Sequence, residues 1–392
     1  MHPMVSALLG NPGRARLLLV AALIVCAASL TIVTAAASTN WTSQASGTTI
    51  TFRGISCPST AACFAVGDSG TIRATTNSGH TWTGQTSGSS VELTGVSCVS
   101  VSTCVVVGGD SSGVIIRTTN GGGTWSPETS GTTNILRSVS CPSTTMCFAV
   151  GEGGTILHSI TGGVSWSPQT SNTTRELAGV SCPSITTCYA VGDDGTIRAT
   201  TDGGATTWTT QTSVNTNSLT GISCPSVSTC FVVGVTGPGP LQRTTNGGAL
   251  WTAQDAGTNN TNPPDPLYGD ACPSTTVCFA GSGNPDGLIA STTNGGSTAW
   301  TTQNTGVAQA FTAVSCPTTT TCYIVGSAGT ILTLQPAVVA ASPTPSAPVL
   351  PKAGVGQASH VSPAPGWPLV IAATVVAVGL VIALLSLRRR ED

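Results

Sequence analysis

Fourteen of the 15 cysteines fall into seven pairs, each with five residues between its members. They are Cys57 and Cys63, Cys98 and Cys104, Cys141 and Cys147, Cys182 and Cys188, Cys224 and Cys230, Cys272 and Cys278, and Cys316 and Cys322. Thiols at this spacing either close a disulfide or hold a metal. Zinc needs four ligands per site, and the four histidines (His2, His80, His158 and His360) show no pattern with the pairs. Two cysteines flanking a hairpin turn outside the cell are most simply a bridge across that hairpin. Seven local disulfides with a structural role are therefore expected, and neither a metal nor a cofactor is implied. The remaining thiol, Cys26, sits in an apolar run and reads as apolar filler.

Glycoside hydrolysis usually needs two facing carboxylates; a sialidase needs an arginine triad, a Tyr/Glu pair and an acidic proton donor. The chain has three tyrosines. Tyr189 and Tyr323 each follow the second cysteine of a pair, where other copies place Phe64, Phe148, Phe231 and Phe279. They are packing residues, and Tyr268 alone lies off that pattern. With no triad and no isolated carboxylate pair, the sequence reads as non-catalytic, with a sialidase-like or other glycoside hydrolase as the alternative.

The elements that carry these residues repeat. Tryptophans at 41, 82, 125, 166, 208, 251 and 300 accompany the seven pairs, giving a period of 41–49 residues. Such a period indicates a β-propeller or a similar array. Within one unit, the apolar-led run Leu136–Cys141 reads as a first strand and Cys147–Gly151 as a second. Thr155-Ile156-Leu157 follows a tight glycine turn, and Trp166 introduces a fourth strand. The seventh unit lacks its fourth strand, whereas Trp41-Thr42-Ser43-Gln44 begins the array with no strands before it. Residues 38–46 are thus expected to close the ring in the last blade, hiding open sheet edges. The expected fold class is all-β: a seven-bladed β-propeller of four-stranded antiparallel blades, closed by the N-terminal strand, with a terminal transmembrane helix.

The glycine turns before tryptophan, as in Thr119-Asn120-Gly121-Gly122-Gly123-Thr124-Trp125, resemble the Asp-box of sialidase-type propellers. Asp202 keeps the acidic form, Asn usually replaces it, and Thr161 breaks the pattern. The wider unit (Trp-Thr-x-Gln, Ala-Val-Gly, Gly-Thr-Ile, Thr-Thr-Asn-Gly-Gly) resembles the photosystem II stability/assembly factor family over about 38–335. That resemblance implies a seven-bladed propeller and carries little about activity.

Alternating strand directions put the cysteine hairpins and Asp-box turns on one face. The second-to-third turns and the links between blades share the other. Asp68, Asp110, Glu152, Asp193, Asp194 and Asp286 lie on those turns, and Glu92, Glu176, Asp255 and Asp265 on the links, beside Arg53, Arg137 and Arg175. Asp-Gly is ordinary turn chemistry; the sharper reading is a polar, mildly acidic recognition face able to hold a cation. Enlarged loops at 236–240, 259–266 and 282–286 mark blades five and six, and irregular loops on a rigid scaffold commonly bind. Tyr268, Asp265, Asp286, Arg53, Arg137 and Arg175 are the candidate binding residues.

Charged residues make up 7% of the 392-residue chain, 13 basic and 15 acidic, against about 25% in ordinary soluble proteins. With no basic patch, nucleic acid is excluded as a partner. Five basic residues flank apolar runs. Arg14 and Arg16 precede residues 17–37, read as a signal peptide or signal anchor within 1–37. Arg388, Arg389 and Arg390, in a basic cytoplasmic tail (388–392), follow an expected transmembrane helix at 367–387. Between propeller (38–336) and helix, residues 337–366 form a Pro/Ala/Ser-rich stalk; within it Leu350-Pro351-Lys352-Ala353-Gly354 resembles a sortase motif, departing at Ala353. The expected protein is a propeller held outside the cell on the membrane, recognising or scaffolding an extracellular protein or glycan. A structural envelope component without a specific ligand is a further alternative, and the oligomeric state is not assigned.

Overall fold

The computed structural model describes residues 41–205, 208–235, 240–257 and 266–336. The expected leader, stalk and membrane helix lie outside the described residues, and no described helix is long and apolar enough to cross a membrane.

Seven four-stranded antiparallel sheets follow one another as blades. Blade one comprises Phe52–Ser56, Cys63–Gly67, Thr71–Thr75 and Thr83–Gln85, paired in chain order. First strands of successive blades neighbour one another and surround the axis. Every second strand is buried along its whole length, because it is covered on both faces by neighbouring blades. That is why runs such as Cys-Phe-Ala-Val-Gly show no polar alternation. Fourth strands are short and exposed.

Blade seven takes its outer strand from the other end of the array. Thr42–Ser43 pairs antiparallel with Ile331–Leu334, Thr42 opposite Thr333 and Ser43 opposite Leu332. Trp41 anchors this closure by meeting Phe279 edge-to-face at 6.0 Å and donating its indole N–H to Gln303 Oε1 at 3.1 Å. The same edge-to-face ring contact recurs between neighbours: Phe64 with Trp125, Phe148 with Trp208 and Phe231 with Trp300. Tyr323 packs on Trp82, and the Tyr189 and Tyr323 hydroxyls donate to Val227 and Thr60 carbonyls. Both tyrosines are therefore interblade packing residues.

All seven cysteine pairs are disulfides across the hairpin between first and second strands. A further pattern links the blades. The serine preceding the first cysteine of one blade accepts from the amide of the corresponding cysteine in the next, at 2.9–3.2 Å. Ser56, Ser97, Ser140, Ser181, Ser223 and Ser315 do this; blade six has Ala271 and leaves its seam with blade seven without that bond.

Asp-box side chains shape turns. Asn77, Asn120 and Asn246 accept backbone amides four residues ahead. Thr161, which departs from the sequence pattern, accepts from Ser165 N in the same way at 2.9 Å.

Candidate functional site

Seven equivalent hydrogen bonds assemble the face opposite the disulfides. In each blade an amide after the second strand donates to the carbonyl just before the first, for example Asp68 to Thr51, Glu152 to Ile135 and Asp193 to Glu176. Turns and links thus lie together, as their strand order requires.

Each first strand carries a β-bulge, which re-aims the side chain at the bulge. The bulged residues are Arg53, Thr94, Arg137, Ala178, Thr220 and Thr312 in six blades. In blade six the shift falls one residue later, at Gly269, so Tyr268 stays paired with Gly281. Gly269 has φ +57°, and a Cβ there would stand 2.6 Å from Ala313 Cα, so only glycine fits. Five of the bulged residues, Arg53, Thr94, Arg137, Ala178 and Thr312, line an axial mouth of about 560 Å³ together with Glu92 and Tyr268. The Tyr268 ring lies over Gly283, where a Cβ would come within 2.0 Å of Cε2.

Two arginine clamps frame this mouth. Arg53 Nε lies 2.7 Å from Asp68 in its own blade and 3.2 Å from Glu92 on the link to the next. Arg137 repeats the arrangement, with Nη2 2.7 Å from Glu152 and Nε 3.3 Å from Glu176. The hydrogen bond that Arg53 donates to Asp68 raises the Arg53 pKa, burial opposes this, and the charges of Asp68 and Glu92 add to the rise. Each clamp ties two blades, and together the two clamps set two guanidinium groups against four carboxylates.

Below the mouth is a channel of about 170 Å³ lined by first-strand residues of all seven blades. Six blades place Ile55, Val96, Val139, Val180, Ile222 and Val314 at one position; blade six places Asp270 there. The residue as a whole is half-buried, yet both carboxylate oxygens are sealed from solvent and have no hydrogen-bond partner among the described residues. One oxygen rests against Gly221, 2.9 Å from where a Cβ would stand. Burial pushes the Asp270 carboxyl well above its usual range; backbone amides of Asp270 itself and Ser223 oppose the shift without reaching hydrogen-bond geometry.

No ionisable side chain faces Asp270 from the strands packed against its own, Leu219–Ser223, Cys278–Ser282 and Phe311–Ser315, whose cysteine is bridged. Arg53 and Arg137 are the channel's other ionisable lining residues. Because the folded-state pKa is raised, the contribution of Asp270 to stability is present at acid pH. It falls as pH climbs from the ordinary carboxyl range to the raised value, by about 1.4 kcal/mol per pH unit. Denaturant midpoints measured across pH should show this decline in the native protein and its loss in Asp270→Val, which should also be the more stable above the ordinary carboxyl range.

Of the six candidate residues, the structure brings Arg53, Arg137 and Tyr268 to one mouth. Arg175 instead pairs with Asp194 at 2.8 Å and lines a separate cavity of about 800 Å³. Asp286 accepts from Leu288 N at 3.1 Å, shaping its own turn. Asp265 lies outside the described residues, as do 236–239 and the link 258–265. Among the described residues no group of three or more His, Cys, Asp or Glu converges as metal ligands. Asp270 is not among the six candidates read from the sequence; its signal there is a carboxylate two residues before a cysteine where every other copy has Ile or Val.

No protein-family model and no curated protein matches the chain. Among solved structures, "YCF48 bound to D1 peptide" is similar with a TM-score of 0.62 and 16% identity, over 78% of this chain and 99% of that one. YCF48 from Cyanidioschyzon merolae gives 0.62 and 17%, over 76% and 99%. The GH74 enzyme from Niastella koreensis gives 0.56 and 15% over 75% of this chain, which spans 53% of the enzyme's chain. At these identities the likeness is one of fold. The expected resemblance to photosystem II assembly factors holds at the level of architecture: this chain is a seven-bladed propeller similar to YCF48 and to other propellers of differing activity.

Proposed function

We propose that the protein is a membrane-anchored, extracytoplasmic propeller that recognises a protein or glycan at the cell surface through its axial mouth, without catalysing a reaction on it. The observation that carries this reading is the mouth itself. An exposed tyrosine and two arginines from three blades are set around one opening by bulges and clamps. Rigidly placed aromatic and arginine side chains are the types that dominate binding energy at interfaces. The clamp carboxylates are occupied by guanidinium groups, which suits a structural and recognition role better than acid–base work. The apolar runs at both ends of the sequence, with their basic flanks, support membrane attachment.

The test is capture of surface proteins and glycans by the full-length protein, repeated with Tyr268→Ala and Arg137→Ala. A specific partner should be retained by the native protein and lose at least tenfold in affinity with Tyr268→Ala. Equal retention by both variants would remove the mouth from recognition, and failure to capture anything would favour a purely structural envelope role. The likeness to GH74 enzymes favours one second reading, glycoside hydrolysis. Turnover on a panel of polysaccharides would establish it.

A further inference from the structure

We propose that the axial mouth receives a lysyl side chain of a partner protein, with Tyr268 as the aromatic platform and Asp270 as the carboxyl group that pairs with the ammonium group. This rests on the recognition reading above and names the chemistry of the partner. Three observations converge on a compact cation. Arg53 and Arg137, which line the mouth with Glu92, are each paired with two carboxylates, so their positive charge is more than offset and a cation is not repelled there. Tyr268 is 37% exposed at that rim, and an aromatic face attracts ammonium groups. The mouth and the channel share Arg53, Thr94, Arg137, Ala178 and Thr312 in their walls, so one opens into the other.

Asp270 provides the third observation. Both its oxygens are sealed and have no partner among the described residues, and the other six blades fill the position with Ile or Val. The fold therefore has no need of a carboxyl there, and a buried polar group without a partner calls for a reason. A lone carboxylate with no cluster of further ligands among the described residues suits an ammonium ion better than Ca²⁺, which takes six to eight oxygens. The narrow channel admits an unbranched alkyl chain in preference to a sugar ring. Pairing requires the carboxyl to turn about its Cα–Cβ bond, away from Gly221.

The experiment measures binding of the full-length protein to a short Gly/Ser peptide with one central lysine. The comparison probes are the same peptide with acetyl-lysine or glutamate, and an oligomer of glucosamine. The lysine peptide should bind at least tenfold more tightly than either altered peptide. Asp270→Val should remove that preference while keeping the native fold by circular dichroism, and Tyr268→Ala should weaken binding of the lysine peptide. Equal binding of lysine and acetyl-lysine, or an undiminished preference in Asp270→Val, overturns the inference. So does preferential binding of the glucosamine oligomer, which would make the partner a glycan. In each of these outcomes the recognition reading still stands or falls separately, on whether a captured surface partner is lost with Tyr268→Ala and Arg137→Ala.

Discussion

Full reduction and alkylation of the seven disulfides should abolish the cooperative unfolding transition. Each bridge closes a loop with a sequence separation of six. Chain entropy assigns such a loop about 2 kcal/mol as an upper figure. Seven together approach roughly 15 kcal/mol, which is the whole net stability of an ordinary domain. The bridges lie at the disulfide-side end of each blade, with Cys63, Cys104, Cys188, Cys230, Cys278 and Cys322 among the fully buried residues. Reduction therefore also leaves thiols in a close-packed interior and frees the hairpin that sets first-strand register. Near-UV circular dichroism and differential scanning calorimetry of oxidised and alkylated protein check this. A reduced protein that melts cooperatively within a few degrees of the oxidised one would show that blade packing suffices alone. Non-reducing peptide mapping should recover the seven local pairs.

Trp41→Ala should produce the largest loss among single substitutions outside the cysteines, about 3–5 kcal/mol from core truncation. Trp41 packs with Phe279, Phe311, Ile324 and Leu332, so it spans blades six and seven. Its loss also withdraws the donor to Gln303 and loosens Thr42–Ser43 from Ile331–Leu334. Trp208→Ala is the control, since Trp208 is buried still more deeply (0% exposed against 9% for Trp41) but sits in an internal blade. Both should lower the denaturant midpoint. Trp41→Ala alone should in addition promote association, because it exposes the open edge of blade seven. Light scattering at matched fractions of unfolding distinguishes the two.

Much of the fold was legible because repetition amplifies weak signals. One Cys-x5-Cys spacing says little, whereas seven copies in step with seven tryptophans specify blade number, strand order and the closing strand. The distribution of charge over faces followed from strand alternation alone. Less of the site was legible. Arg53, Arg137 and Arg175 look alike in sequence, yet only the first two occupy a bulged first-strand position, while Arg175 sits two residues before its strand. Asp270 is less legible because Asp is ordinary turn chemistry in a turn-rich sequence. Aligning the units on their cysteines puts it at the Ile/Val position. The Ser-Cys dipeptides were equally visible, but their partners lie more than 40 residues away in the next blade.

Sequence by itself determined the architecture: seven units, a disulfide at each hairpin, an N-terminal strand in the last blade, and a face richer in carboxylates. These properties depend on local spacing and on periods that survive in one dimension. Tertiary structure decided which charged groups meet, that Tyr268 stands over Gly283 at the axial mouth, and that the Asp270 carboxylate is sealed from solvent without a partner among the described residues. Those relations depend on bulges and on contacts across the ring, where residues far apart in the chain are brought together by closure.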